Sequence, residues 1–258
     1  MQACVRAIHV APVKSLRLTA VEHARLDESG IGFDRRFVLI DDDDRAVTMK
    51  LTGQLARAVA LHDAETGSLS LSIDGRPPLT GTARPGSSQS LQMWAGRRHG
   101  RLIDGPWSQA LSDLAGKRLR LVLLDEDATG LDMHPVSLLS AESCAELGAH
   151  NGGGTPDPRR FRPTLLIEGV EPHEEDSWIG RDVAAGEAVL RVVERDPRCA
   201  ITTRNPETGE RDLDTLRMIA SYRPPSQGKV WFGVYATVVR PGEVHVGDAV
   251  NPLPEDRP

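Results

Sequence analysis

Apolar and serine side chains alternate strictly in Leu69-Ser70-Leu71-Ser72-Ile73, a stretch that ends at the turn pair Asp74-Gly75. A period of two residues is typical of a strand with one buried face, and Asp-Gly is a favoured hairpin turn. Other apolar runs lie on both sides of it, at residues 5–13, 18–26, 33–40, 46–49, 91–95 and 119–124. Many short strands at close spacing are typical of a barrel, which we therefore predict for this part of the chain.

The pattern changes after residue 105. Helices are predicted over residues 106–114, with Pro106 in the first turn and Gly116 after the end, from Ser140 to about residue 148, and over residues 213–222. Strands are predicted over residues 163–167, 188–193, 200–203, 230–239 and 244–250, the last two as a hairpin across Pro241-Gly242. The fold class is therefore predicted as mostly β with a few helices (α+β), with a boundary near residues 125–130.

Composition excludes several function classes. The 258 residues hold 31 Lys and Arg against 37 Asp and Glu, a net charge of −6 that disfavours nucleic acid as a partner. No apolar run approaches the length of a membrane span, and residues 1–12 lack the pattern of a signal peptide. GxSxG, P-loop and HExxH motifs are absent from the sequence, as is any CxxC pair. We expect a cytoplasmic protein without a membrane or nucleic-acid partner.

Cys199 is the first candidate for a reactive residue. Pro197 is expected to end the strand before it, and Arg195, Arg198 and Arg204 lie close to it in sequence. Cationic neighbours favour the thiolate, the form of cysteine that attacks substrates and binds metals. A lone cysteine is more often a small buried apolar residue, so both interpretations stay open on local sequence.

Basic and hydroxyl side chains accompany turn-forming residues at three separate points. Lys14 and Ser15 follow Pro12-Val13, Arg35 lies between Phe33 and Phe37, and Arg162 precedes Pro163. Such groups at strand ends suit a phosphate or another oxyanion, although each taken alone is explained by a solvated surface charge.

Motifs spread over nearly the whole chain resemble the MOSC superfamily, in the branch where an N-terminal MOSC β-barrel domain precedes the MOSC domain. The amidoxime reducing components and their bacterial relatives belong to this branch. The motifs are Pro12-Val13-Lys14-Ser15, Gly32-Phe33-Asp34-Arg35-Arg36-Phe37, Arg198-Cys199 and residues 138–143, 161–163, 176–178, 202–203, 205–209, 221–223, 232–235 and 246–248. The resemblance implies an N-terminal β-barrel-like domain, residues 1–125, packed on a MOSC β-barrel domain, residues 126–258.

The resemblance also implies a site and an activity. Cys199 would be the catalytic thiolate on molybdenum, which the dithiolene of a molybdopterin also holds. The residues that would bind this molybdenum cofactor are Lys14, Ser15, Arg35, Asp132, His134, Arg162, Arg198 and Tyr235. The protein would be a molybdenum oxidoreductase that reduces N-hydroxylated small molecules by oxygen-atom transfer to molybdenum. Because the sequence ends at Pro258 without a ferredoxin domain, electrons would come from a separate donor of ferredoxin, flavin-reductase or cytochrome type.

Two positions depart from the family pattern, and other functions stay open. Thr48-Met49-Lys50 replaces a frequent Thr-x-Arg, which keeps the charge but loses the planar guanidinium, and His134 replaces a small hydroxyl residue of the eukaryotic branch. The alternative is a non-catalytic molybdenum cofactor carrier or a sulfur-transfer protein with a persulfide on Cys199. A metal-free enzyme with Cys199 as nucleophile is a third possibility. The acidic segment 171–176 is either a docking surface for a basic partner or a plain solvated loop.

Overall fold

The computed structural model describes residues 2–126 and 128–254. Residues 1, 127 and 255–258, which belong to the ends and the junction of the two predicted domains, lie outside the described residues. Strands make up 44% of the chain and three α-helices occur in its described part, so the predicted mostly β, α+β class is confirmed. None of the helices in the described ranges has the length and apolar character of a membrane span.

The strands of the described chain are numbered in sequence order. They are β1 (Cys4–Val10), β2 (Thr19–Val21), β3 (His23–Asp27), β4 (Gly30–Ile31), β5 (Phe37–Ile40), β6 (Ala58–Asp63), β7 (Ser68–Ile73), β8 (Leu79–Thr82), β9 (Arg84–Met93), β10 (Gly96–Asp104), β11 (Arg120–Leu124), β12 (Val136–Ser140), β13 (Leu165–Glu168), β14 (Asp182–Ala185), β15 (Ala188–Arg198), β16 (Val230–Arg240), β17 (Gly242–His245) and β18 (Val250–Pro252). The helices are α1 (Trp107–Ala115), α2 (Ala141–His150) and α3 (Thr215–Tyr222). Short 3-10 turns cover Gly53–Arg57, Pro158–Phe161, Glu174–Trp178 and Ala200–Thr203.

The largest sheet has eight strands in the order β18-β14-β15-β16-β12-β13-β1-β2. Strands β12 and β13 are parallel, and β1 runs antiparallel to β13 with Ile8 opposite Leu165. The other sheets have the orders β5-β11-β10-β9, β6-β7-β8 and β17-β3-β4. The pairs between the named strands of the described chain close none of these sheets, but a bridge between Cys4 and Ala249 links β1 to the segment before β18. Strand β1 pairs with β13 and strand β3 with β17, so both pair with the second half of the chain, while the domain boundary at residues 125 and 126 stays a prediction.

The core is divided between the two ends of the molecule. One apolar cluster fills the large sheet and centres on Ile8, Leu138 and Trp178. A second packs α1 against the smaller sheets through Trp107, which is 2% exposed, and Leu111. Each large apolar side chain buried in this way contributes roughly 1.5–3 kcal/mol of transfer free energy. Both clusters hold the loops between them, where the predicted site residues lie.

Elements with strong local signals form as predicted. Helix α1 starts after Pro106 and ends at Gly116, whose φ of 67° is the left-handed conformation that suits a helix C-terminus. Helix α2 starts at Ser140, whose hydroxyl accepts a hydrogen bond from the backbone N–H of Ser143. Strand β7 covers the alternating stretch that ends at Asp74.

Three predicted strands are wrong in extent or in kind. Residues 200–203 form a 3-10 turn, because the carbonyl of Cys199 accepts from both the N–H and the hydroxyl of Thr202. The strand predicted over residues 33–40 is β5 alone, since Arg35 has a φ of 55° and donates its N–H to Ala11. The strand predicted over residues 46–49 is reduced to one bridge between Ile40 and Ala46.

The final hairpin and the end of β15 also differ from the prediction. Strand β17 pairs with β3, and β18 pairs with β14, so β16 and β17 belong to different sheets. Pro241 lacks the N–H that a continued ladder requires, and the chain leaves the large sheet there. Pro197 does not end β15, which continues to Arg198 across an irregularity between Arg195 and Pro197.

Candidate functional site

A cleft of about 460 Å³ lies between segments from both halves of the chain. Its volume is in the range of small-molecule and cofactor sites. The structure brings all nine predicted site residues to the lining of this cleft, although they are spread over the sequence: Lys14, Ser15, Arg35, Asp132, His134, Arg162, Arg198, Cys199 and Tyr235. Their assigned roles stay predictions.

Three of the residues that line the cleft have a backbone conformation that side chains disfavour. The φ angles of Ser15, Arg35 and Arg162 are 71°, 55° and 54°. Arg162 follows the 3-10 turn Pro158–Phe161 and donates its N–H to the carbonyl of Arg159 at 3.1 Å. Left-handed non-glycine residues persist where surrounding contacts hold them, and they are concentrated at ligand sites.

Lys14 is a buried cation that pairs with a single carboxylate of the described chain, that of Asp132. Its side chain is 7% exposed, and Nζ donates to the Gly130 carbonyl at 2.5 Å and to Asp132 Oδ1 at 2.6 Å. Burial lowers the pKa of Lys14, while the Asp132 carboxylate opposes that change. The pair ties the loop before β12 to the segment after β1.

Arg35 and Arg162 lie close together, but among the described residues only the charge of Arg35 is compensated by a carboxylate. Arg35 pairs with Asp34, whose Oδ1 also accepts from the Ala11 N–H at 2.7 Å. Arg162 donates Nη1 to the Leu16 carbonyl at 2.9 Å, while its buried Nη2 has no hydrogen-bond partner among the described residues. No carboxylate of residues 2–126 or 128–254 forms a salt bridge with Arg162. Burial and the charge of Arg35 lower the pKa of Arg162 to about 9.

Arg198 fixes the backbone on the approach to Cys199. Its Nε donates to the Phe232 carbonyl at 2.6 Å and its Nη1 to the Phe161 carbonyl at 2.8 Å. Nη1 also lies 2.7 Å from Asp196 Oδ2, and both side chains are buried. Burial raises the pKa of Asp196 to about 7, against the opposing charge of Arg198, and Tyr235 lies against the same carboxyl group. Sequence reasoning missed Asp196, although it stands three residues before Cys199.

Cys199 is the exposed cysteine of the chain, whereas Cys144 is buried and Cys4 is half-buried. It lies on the cleft at the start of the 3-10 turn Ala200–Thr203. The nearby guanidinium groups are engaged elsewhere: Arg195 pairs with Asp176 at 3.4 Å, and Arg204 donates to the carbonyls of residues 209 and 50. Of the two interpretations that the local sequence left open, the exposed thiol argues against a small buried apolar residue, but Arg195 and Arg204 do not face it as free cations.

His134 stands on the same cleft beside Tyr235, with 5.4 Å between the ring centroids. Its Nε2 lies 2.8 Å from Glu194 Oε1, a partner that the sequence did not indicate. The imidazole is therefore oriented by β15 and β16 together.

The acidic segment 171–176 is exposed in part and buried in part. Glu175 is fully buried and accepts from the Ser143 hydroxyl at 2.8 Å and from the Ser140 N–H at 3.2 Å. Asp176 pairs with Arg223 and with Arg195. Two of its carboxylates thus serve the fold, while Glu171 is exposed, and a docking role for this segment stays a prediction.

Both halves of the chain match family models. The model of the MOSC N-terminal beta barrel domain matches residues 2–117, and that of the MOSC domain matches residues 125–251.

Three curated relatives show how far the similarity extends. Mouse mitochondrial amidoxime-reducing component 1 is 25% identical over an alignment of 284 positions, which covers 95% of this chain and 81% of that protein. Human mitochondrial amidoxime-reducing component 1 is 34% identical over 130 residues, 46% of this chain and 37% of that protein. Rice molybdenum cofactor sulfurase is 24% identical over 265 residues, 89% of this chain and 32% of that protein. The matched regions span about a third of the human and rice relatives.

Proposed function

The chain is a member of the MOSC family, with a MOSC N-terminal beta barrel domain ahead of its MOSC domain, and we propose that it is a molybdenum cofactor-dependent oxidoreductase that reduces N-hydroxylated small molecules. The observation that carries the proposal is the exposed thiol of Cys199 on one cleft with the cations Lys14, Arg35, Arg162 and Arg198.

The donor set of the cleft fits this cofactor. Among the described residues, no group of three or more His, Cys, Asp or Glu side chains is placed to hold a metal ion. A metal bound by Cys199 must therefore bring its other ligands with it. The dithiolene of a molybdopterin supplies soft sulfur ligands of the same character as the thiolate. Its phosphate is an anion of the kind that Arg162, which lacks a carboxylate partner, would bind.

The proposal gives a task to six residues of the cleft. Cys199 would be the protein ligand to the metal, and Lys14, Ser15, Arg35 and Arg162 would hold the phosphate and pterin. When bound, the cofactor supplies two-electron chemistry that removes an oxygen atom from an N-hydroxyl group. Arg198 would position the thiol, because its bonds to two carbonyls and to Asp196 fix the strand before Cys199.

Reduction of an N–OH group to N–H and water consumes two protons and two electrons. Asp196 can hold a proton within the cleft near neutral pH, because burial raises its pKa to about 7. Under this proposal the electrons would come from a separate donor protein.

The proposal is tested by purifying wild type, Cys199→Ser and Cys4→Ser from a host that makes the cofactor. We expect near-stoichiometric molybdenum and pterin in wild type and in Cys4→Ser, with reduction of benzamidoxime by a chemical reductant. Cys199→Ser should lose this activity and change the molybdenum spectrum. Full activity in Cys199→Ser would refute the proposal. A folded wild type without pterin but with a persulfide on Cys199 would favour sulfur transfer instead.

A further inference from the structure

Trp94 is a large apolar side chain that the fold leaves uncovered at the cleft. It is 68% exposed, yet it lines the cleft that holds Cys199. The other described tryptophans are better covered: Trp107 and Trp178 are buried, and Trp231 is half-buried. A single exposed apolar side chain needs no explanation by itself, but this indole lies on the same cleft as Leu131, Met133 and Cys199, where a ligand could cover it.

The hairpin of β9 and β10 holds Trp94 in place. Leu91 and Met93 point into the core, so the alternation along the strand turns Trp94 outward. Met93 pairs with Gly96, whose φ of 112° permits the tight turn that carries the indole. The strand is also tied to the preceding turn, because the Gln92 N–H donates to the Asp44 carbonyl at 2.8 Å. Trp94 is thus presented at a fixed edge of the cleft.

The loop before β12 adds a second apolar contribution to the same cleft. Leu131 and Met133 flank Asp132, whose carboxylate is bound to Lys14, and Met133 is 42% exposed. A methionine thioether is flexible and polarisable and packs well against aromatic rings. The cleft therefore combines cations that suit an anion with an indole and a thioether that suit a flat apolar ring.

We propose that the Trp94 indole and the Met133 thioether form a platform for a flat ring. The substrate of this chain is then an N-hydroxylated compound with an aromatic or heteroaromatic ring. This inference rests on the proposed function and narrows its substrate class. In the reaction the N–O bond breaks, and two electrons from the donor protein and two protons give N–H and water. The ring is unchanged, so the platform acts on binding and positioning.

The test compares benzamidoxime with acetamidoxime, which lacks the ring, on wild type, Trp94→Ala and Trp94→Phe. Trp231→Ala is the matched control, because Trp231 lies outside the cleft. Binding is measured on the loaded protein without an electron donor, by calorimetry and by quenching of tryptophan fluorescence. Turnover is then measured with a chemical reductant and with a donor protein.

We expect Trp94→Ala to lower the preference for benzamidoxime over acetamidoxime, in both binding and kcat/KM, by about tenfold, the effect of one aromatic stacking contact. Trp94→Phe should keep most of the preference but lose the fluorescence quenching, and Trp231→Ala should behave as wild type.

An unchanged preference in Trp94→Ala would overturn the inference, as would a defect seen only with the donor protein, which would make Trp94 a partner contact. Binding of benzamidoxime that depends on Trp94 without any reduction would support the platform and refute the reductase function.

Discussion

Replacement of Arg162 by Met should stabilise the cofactor-free protein while it abolishes cofactor binding. Burial beside Arg35 lowers the pKa of Arg162 from its ordinary 12.5 to about 9. At 1.36 kcal/mol per pKa unit, the charged form is about 5 kcal/mol less favourable in the folded chain than in the unfolded chain. At pH 7 the guanidinium is protonated in both states, so the whole penalty applies there. The variant also loses the bond to the Leu16 carbonyl, worth about 1–3 kcal/mol.

The net expectation is a rise of about 2 kcal/mol in the free energy of unfolding, because the removed charge penalty exceeds the lost hydrogen bond. For a chain of this size that corresponds to a Tm about 4–8 °C higher. The assay is thermal and urea unfolding at pH 7 of protein made in a host without the cofactor, with and without inorganic phosphate. Phosphate should raise the Tm of wild type and leave that of Arg162→Met unchanged.

Arg160→Met is the matched control for this prediction. Arg160 is also largely buried, with 8% of its surface exposed, but its guanidinium meets Asp212 at 2.8 and 2.9 Å. Its loss should therefore destabilise the protein by about 1–3 kcal/mol, since Asp212 is partly exposed and the pair is screened. If Arg162→Met were destabilised as much as Arg160→Met, Arg162 would be a structural cation, and the assignment of an anion site to it would fail.

Two further predictions concern charge and packing elsewhere. Burial raises the pKa of Asp196 to about 7, so its neutral form is favoured by folding and wild type should lose stability as pH rises from about 4 to 7. Asp196→Asn should lack that component of the pH dependence in Tm measurements, and a profile parallel to wild type would contradict the assignment. Gly209→Ala should cost at least about 3 kcal/mol in urea unfolding, because a Cβ there would lie 1.8 Å from the Gly53 carbonyl oxygen. Gly228→Ala, with a similar φ of 71° and no atom within 4 Å of the new Cβ, should cost only about 1–2 kcal/mol. Equal losses of stability in the two variants would show that backbone strain, and not the contact with Gly53, sets the cost.

Sequence reasoning succeeded where the deciding residues are neighbours in the chain. Pro106 and Gly116 define α1, and Ser140 starts α2 with a hydrogen bond to a residue three positions on. It failed where the partner is remote. Strand β17 follows β16 directly but pairs with β3, some two hundred positions away, and no local pattern encodes that choice.

The residues of the candidate site also fall into those that the sequence indicated and those that only the structure reveals. Family motifs identified nine residues that the fold brings to one cleft, which spacing along the chain could not show. Asp196 and Trp94 carry no motif, and their importance follows from burial in one case and from exposure in the other. The left-handed backbone at Ser15, Arg35 and Arg162 is set by tertiary contacts, so it too was invisible in the sequence.

The position of β1 in the large sheet determines how late in translation the sheet and the cleft can form. Cys4 lies opposite Glu168, a separation of 164 residues, so the first strand leaves the ribosome roughly 8–30 s before its partner at about 5–20 residues per second. Until then one edge of β1 is unpaired, although β2 can pair with its other edge, and Lys14 and Ser15, which follow β1, have no cleft to line. Under the proposed function, cofactor loading would therefore wait until translation has passed Tyr235 on β16, which also lines the cleft, and a nascent chain that holds only the first half has no binding site to offer.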